Sequence, residues 1–518
     1  MTTSGVEVHA DTYLDSLLLM TVTVSMDGLE GVEWAGAVMA SPRGLEDLAA
    51  AGFQGGELEG LSPNDLVLAV RATGEEAVAT AFAAGRTAAF EERTPSATAS
   101  EAPPRSVAEA AVRLVGANVA IISVPGEYAA LEAHHALSSG LHVLLFSDGV
   151  PIEQEVELKD RAAGLGLLVM GPGAGTAVLG GTGLGFANTL ETPGAGAAGG
   201  AVGVVAAAGT GAQEVSALLA RWGVPVSQVI GVGGRDLSEP VGGRMAQVAA
   251  RALAADERTR AVLLVSKPPA AAAARAVLSE CTQTPGVAVF LGLDDAEPPP
   301  GVQMAATLEA GTRAAAALVG VTPPPLADGL EELVDTAGGR LTPRRVRVQG
   351  LFSGGTLCYE AQVILEGHLG PVHSNEPLRK DNALPAPKGA HVLIDLGAEE
   401  YTRGVPHPMI DLSTRLELLR RQADDPDLAV VLLDVVLGHG SHDDPAGQLA
   451  PLCAALMADG GPQVVAYVLG TEQDPQTYSL QRSVLQEAGC IVPETNARAA
   501  HAAAALALRR PDLVRTGL

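Results

Sequence analysis

The stretch AVGVVAAAGTGAQEVSALLARWG, residues 201–223, decides the fold. It opens as a valine-rich apolar run, the pattern of a buried strand. It then passes through small residues, Ala208-Gly209-Thr210-Gly211, and continues as a helix with an early carboxylate, Glu214. The same order returns in VRVQGLFSGGTLCYEAQVIL, residues 346–365, with Ser353-Gly354-Gly355-Thr356 at the turn and Glu360 as the carboxylate. Glycine lets a chain turn sharply and come close to a ligand. The unpaired N–H groups of a helix start, backed by the helix dipole, attract an anion. Two such corners point to one shared phosphate or acyl-phosphate site; two ordinary strand-to-helix turns are the alternative.

Working outward, 518 residues predict three or four domains on the usual size prior. Hydrophobic residues make up 47% but aromatics only 3%, so the cores must be built from Ala, Val and Leu. The net charge of −27 argues against a nucleic-acid surface and against attraction to an anionic membrane. A small anionic substrate must then be held by local N–H groups or a few arginines. The four cysteines, Cys281, Cys358, Cys453 and Cys490, show no CxxC pairing and read as reduced thiols. The start, MTTSGVEVHADTYLDS, lacks a basic segment followed by an apolar one, and no run approaches a membrane span. A cytoplasmic protein is expected.

Residues 11–94 alternate short strands and helices, predicting a small α+β domain of ferredoxin or ACT type, for packing or assembly. TPSATASEAPP, residues 94–104, reads as a linker. Residues 105–190 read as half of a nucleotide-type, Rossmann-like fold with a Gly171-Pro172-Gly173 turn at its ligand edge. After a second joint at 191–200, residues 201–325 form an α/β domain. Its loop Gly233-Gly234-Arg235-Asp236 can hold and orient an anion. A third linker is expected at 322–345, and residues 346–518 repeat the α/β pattern. The fold class is therefore α/β: several parallel-sheet, flavodoxin- or Rossmann-like domains behind a small α+β domain.

The densest polar cluster is Gly438-His439-Gly440-Ser441-His442-Asp443-Asp444, after the strand carrying Asp434. Its histidines can move protons or bind an anion. Its spacing matches no standard zinc pattern, so no metal is assigned. His407, between Pro406 and Pro408, is either placed for function or part of a rigid turn.

These residues carry a resemblance. AVGVVAAAGTGAQEV, VIGVGGRDLSEP and AVLLVSKPP are similar to the ligase half of the succinyl-CoA synthetase α subunit, and SVPGEYAALEAHHALSSGLHVLLFSDGVP to its CoA-binding domain. With LFSGGTLCYEA, PHPMIDLS and DVVLGHGSHDDPA, the whole order most resembles the FdrA family, a fused relative of these synthetases. The synthetase α subunit carries a phosphorylated histidine after the strand matched by AVLLVS; here no histidine lies between His142 and His368. There is also no ATP-grasp pattern, and GPGAG stands where the family has GPN, which weakens CoA as a cofactor.

The resemblance implies an oxamate carbamoyltransferase of ureide (purine) catabolism, working with further subunits and as an oligomer, with phosphate as a substrate. In that scheme phosphate sits between Gly209, Thr210 and Gly211 and Ser353, Gly354, Gly355 and Thr356. Arg235 and Asp236 assist with Gly233 and Gly234; His439 or His442, presented by Gly438 and Gly440, handles the proton. An acyl-CoA synthetase using CoA and nucleotide with a partner, and a non-catalytic scaffold subunit, are the rival expectations.

Overall fold

The computed structural model describes residues 2–14, 16–29, 31–53, 55, 58, 60–90, 103–190, 200–281, 283–293, 297–402, 405–422 and 425–517. The linkers expected at 94–104 and 191–200 lie outside these residues, apart from Pro103, Pro104 and Gly200. The chain forms two compact units, Met1–Pro103 with Glu399–Pro406, and Pro104–Ala398 with His407–Leu518.

The first unit is a three-stranded antiparallel sheet in the order Thr3–His9, Leu66–Ala72, Val32–Met39. Alternation along the central strand sorts its side chains by face. Leu66, Leu68, Val70 and Ala72 pack with Val22, Met26, Val78 and Ala81, while Val67 and Ala69 pack with Leu48 and Phe53. The strand Thr3–His9 precedes the boundary read from sequence. Ser16–Asp27 forms one helix, despite its β-branched TVTV run. Packing against the helix Glu75–Phe90 and the strand Val32–Met39 overrides local propensity.

The second unit holds three sheets. A small parallel one joins Val119–Ile122, His142–Leu145 and Val169–Met170. A seven-stranded sheet runs Val302–Met304, Gly286–Phe290, Thr259–Ser266, Ala201–Ala207, Val226–Gly231, Thr176–Leu179, Thr182–Gly185. Its last two strands form an antiparallel hairpin, which the sequence reading had placed in the preceding domain. A five-stranded, wholly parallel sheet runs Val372–Ser374, His391–Asp395, Arg347–Phe352, Leu428–Val436, Gln463–Leu469.

All seven residues of Ala201–Ala207 and all nine of Leu428–Val436 are buried, as expected of strands covered on both faces. The two larger sheets share one apolar core. Helices Gly209–Arg221, Leu308–Leu318, Gly355–Leu369 and Asn496–Leu508 meet between them. Every residue from Asn496 to Ala507 is buried. Alanine's small side chain allows this close approach, and the buried Arg498 is paired with Glu309 at 2.9 Å. The expected linker at 322–345 contains a helix, Leu330–Gly338, whose Leu330, Val334 and Ala337 join that core.

Candidate functional site

Both glycine corners leave central strands of their sheets. Ala201–Ala207 feeds the helix Gly209–Arg221, and Arg347–Phe352 feeds the helix Gly355–Leu369. The carboxyl ends of such strands are where open parallel sheets bind ligands. The corners touch. The Thr356 N–H donates to the Thr210 hydroxyl at 3.3 Å. A Cβ at Gly211 would lie 2.9 Å from the Thr356 methyl, and one at Gly354 would lie 3.0 Å from Thr210. Two helix starts therefore converge on one spot, closed at its centre by two interlocked threonines.

The donors of the second corner are partly spent. The Asp434 carboxylate accepts from Ser353 N–H at 2.8 Å, the Ser353 hydroxyl at 2.9 Å and Gly354 N–H at 2.7 Å. Arg415 donates to the same carboxylate at 2.7 Å and to the Asp434 carbonyl at 2.6 Å. Both charged side chains are out of solvent. An internal carboxylate thus occupies the place the sequence reading gave to phosphate at Ser353 and Gly354. It pins the turn, and that pair is corrected from ligand donors to a structural latch. Neither helix start has a side-chain cap. Among the described residues the N–H groups of Gly209, Thr210 and Gly355 meet no acceptor. Gly209 is exposed, and Thr210 and Gly355 are partly so.

Two further groups converge on Gly355. A Cβ there would lie 2.4 Å from Asp395 Oδ2 and 2.8 Å from Lys267 Nζ. Lys267 also stands over the Tyr359 ring, 5.0 Å from its centroid, a cation–π distance. Burial pushes the Asp395 carboxyl up to about 6, although Lys267 pulls the other way. His407 faces the same turn: its Nε2 would lie 2.8 Å from a Cβ at Gly397, the residue whose N–H binds Asp395. Burial drives His407 down to about 4, so its ring is neutral near pH 7.

The other predicted site residues have partners elsewhere. Arg235 binds Glu155 at 2.8 Å and the Val150 carbonyl at 2.7 Å. Asp236 is buried, accepts from Lys159 at 2.8 Å, and takes Met245 and Ala246 N–H at the start of the helix Arg244–Ala255. The expected phosphate contact of these two is therefore replaced by a buried ion cluster that joins the small parallel sheet to its neighbour. A Cβ at Gly233 would strike the Gly171-Pro172 turn at 2.8 Å, whereas Gly234 meets nothing. His439 is exposed, with Nε2 3.1 Å from the Thr189 hydroxyl. His442 donates its N–H to the Met409 carbonyl, and its Nδ1 accepts from Asp444. Gly438 and Gly440 pack on Phe186, whose carbonyl accepts from Gln213 of the first corner's helix.

Sequence reasoning passed over Lys267, Asp395 and Arg415. For the first two a signal existed, since Lys267 follows the apolar run AVLLVS and Asp395 ends the run HVLID. Arg415 lies in a helix of low amphipathicity, and nothing in its neighbours marks it as buried.

Residues 351–506 match the CoA-ligase family, and residues 1–104 match the heavy metal-associated domain of AllF. The CoA-ligase likeness covers that C-terminal segment. It is 36% identical over 506 residues to YahF of Escherichia coli, across 94% of this chain and 96% of that one, and it belongs to the YahF family. It is 30% identical over 160 residues to succinate–CoA ligase (ADP-forming) subunit alpha 2 of Archaeoglobus fulgidus, covering 30% of this chain and 52% of that one. The dinucleotide-forming acetyl-coenzyme A synthetase 1 of Ca. Korarchaeum cryptofilum aligns over 80% of this chain and 87% of its own, at TM-score 0.33 and 15% identity.

All four cysteines lie beyond residue 280, so the N-terminal domain offers no thiolate to a soft metal. Among the described residues no three His, Cys, Asp or Glu side chains gather as metal ligands. At the first turn of the small parallel sheet, a Cβ on Gly126 would lie 2.2 Å from the Asp148 carbonyl, and one on Gly173 would face the Asp148 carboxylate at 3.6 Å. Among the described residues no helix is long and apolar enough to cross a membrane.

Proposed function

We propose that the converging helix starts bind phosphate, and that the chain catalyses acyl or carbamoyl transfer through phosphate as an FdrA-like subunit of an oxamate carbamoyltransferase in the cytoplasm. The observation that carries this is the contact of Thr210 with Thr356, which aims two helix dipoles at one spot beside free N–H groups. Hydrogen phosphate attacks the ureido carbonyl carbon of oxalurate. The C–N bond breaks, the nitrogen gains the proton that phosphate brought, and carbamoyl phosphate and oxamate leave. The reaction needs phosphate held in line and the carbonyl polarised, and no ATP. Of the residues read from sequence, Gly209, Thr210 and Gly355 are kept as donors for this role, and Gly211 and Thr356 form the contact that sets the corners together. Arg235, Asp236, His439 and His442 are not, because each has other partners.

The test is phosphate-dependent formation of carbamoyl phosphate from oxalurate by the chain assembled with its partner subunits. With arsenate in place of phosphate, oxalurate should still yield oxamate while no carbamoyl phosphate accumulates. Oxamate formation indifferent to either anion would overturn the reading.

The match of residues 351–506 to the CoA-ligase family favours a second reading, an acyl-CoA synthetase acting with nucleotide and a partner. Thermal stabilisation of the full chain by CoA, and not by phosphate, would select it.

A further inference from the structure

We infer that Lys267 and Asp395 are the anion anchor and the proton donor of this site, and that its ligand is a phosphate-type oxyanion seated over Gly355. This rests on the corner reading above and names the groups that complete it. Lys267 follows Ser266, the last residue of a strand in the first large sheet. Asp395 ends a strand in the second. The two enter from different sheets and converge on one glycine, where any side chain would collide with both.

Each of the two has an unspent valence. Among the described residues Lys267 Nζ has no hydrogen bond or ion pair, only the Tyr359 ring beneath it. Asp395 is 3% exposed. Its Oδ1 accepts Gly397 N–H at 2.9 Å, and its Oδ2, the atom aimed at Gly355, has no hydrogen-bond partner among the described residues. That oxygen is free to carry a proton or to meet a ligand. The charged and titratable groups around it are Lys267, Glu376 and Asp434, with Tyr359, Cys358, His407 and Arg415 behind them. Burial, Glu376 and Asp434 favour the neutral acid over the pull of Lys267. An oxyanion arriving at Lys267 favours it further, since two negative charges cannot share the space.

The step follows from this placement. A phosphate oxygen bonds to the carbonyl carbon, and the bond from that carbon to nitrogen breaks. Asp395 Oδ2–H gives its proton to the departing nitrogen. The carboxylate left beside Lys267 then recovers a proton from the hydrogen phosphate that attacked. Atoms and charge balance without an oxidant or a further reactant.

Sulfate tests the assignment cleanly, because its charge is constant between pH 5 and 8. Its affinity for the full chain, measured by isothermal titration calorimetry, should rise about tenfold as pH falls through the Asp395 titration near 6. Asp395→Asn should make the affinity independent of pH. Lys267→Met should weaken binding about tenfold or more at every pH, and Lys267→Arg should restore most of it. In the assembled complex Asp395→Asn should lower kcat far more than it changes KM. Sulfate binding that is indifferent to Lys267→Met, or pH dependence that survives Asp395→Asn, overturns this inference and leaves the corner reading standing. No sulfate or phosphate binding by the wild-type chain at any pH overturns both.

Discussion

The Glu360 carboxylate accepts the backbone N–H of Leu308 at 2.6 Å, so a side chain from the second corner's helix caps the last helix of the other large sheet. The arrangement is reciprocal. Glu214, at the matching place on the first corner's helix, takes the hydroxyl of Tyr467, in the last strand of the second large sheet. The early carboxylates noticed in the two corner sequences thus tie the halves together under the site. Burial raises Glu214 to about 7 and Glu360 to about 8.

Both acids hold protons more tightly folded than unfolded, where they titrate near 4.5. Their contribution is complete below that value and is lost as pH rises through 7 and 8. The melting temperature of the wild-type chain should fall between pH 6 and 8.5. Glu360→Gln, which keeps the shape without the charge, should flatten that fall. His407 and His501, driven by burial to about 4 and about 3, act in the opposite sense. Their stabilisation is present above 6.5 and is lost as pH falls through those values. An E360Q melting curve that keeps the wild-type alkaline slope would refute the role of Glu360.

Arg415→Met should cost about 3–5 kcal/mol in urea unfolding, because it strands the buried Asp434 charge that pins Ser353 and Gly354. Loss of less than about 1 kcal/mol would put the pair among surface-like ion pairs and remove the latch.

Gly209 and Gly211 should behave oppositely although they stand two residues apart. A Cβ at Gly209 meets no atom within 4 Å, whereas one at Gly211 meets Thr356, Ala208 and Val265 within about 3 Å. Gly209→Ala should hold or raise the melting temperature, since alanine favours a helix by up to about 1 kcal/mol. Gly211→Ala should lower it by overpacking the contact between corners.

His439→Ala should leave kcat/KM within about threefold and leave its pH profile unmoved, as an exposed ring bonded to Thr189 takes no part in the transfer. A collapse of activity with loss of one limb of the profile would return the proton to that loop.

Much of this was legible in the chain. Parallel strands covered on both faces read as unbroken apolar runs, so Ala201–Ala207, Arg347–Phe352, Leu428–Val436 and Gln463–Leu469 announce themselves. The corners stand out because glycine and threonine follow those runs directly. The edge strands Thr3–His9 and Val372–Ser374 are short and carry polar residues, so their pairing depends on partners distant in sequence. The helix Asn496–Leu508 has little amphipathic period, because alanine surrounds it on every side. At the site, residue type alone favoured His439, His442 and Arg235, and only the fold shows which charges are already paired. Lys267 and Asp395 sit at the ends of recognised strands, but their convergence on Gly355 depends on how the two sheets face each other.

The most direct measurement is the anomalous diffraction signal of crystals soaked in selenate, an electron-rich relative of sulfate and phosphate. The account predicts one strong peak over Gly355, within hydrogen-bond distance of the Gly209 or Thr210 N–H groups and of Lys267 Nζ. No peak there at saturating selenate, or a peak held by Arg235 or His439 instead, would contradict it.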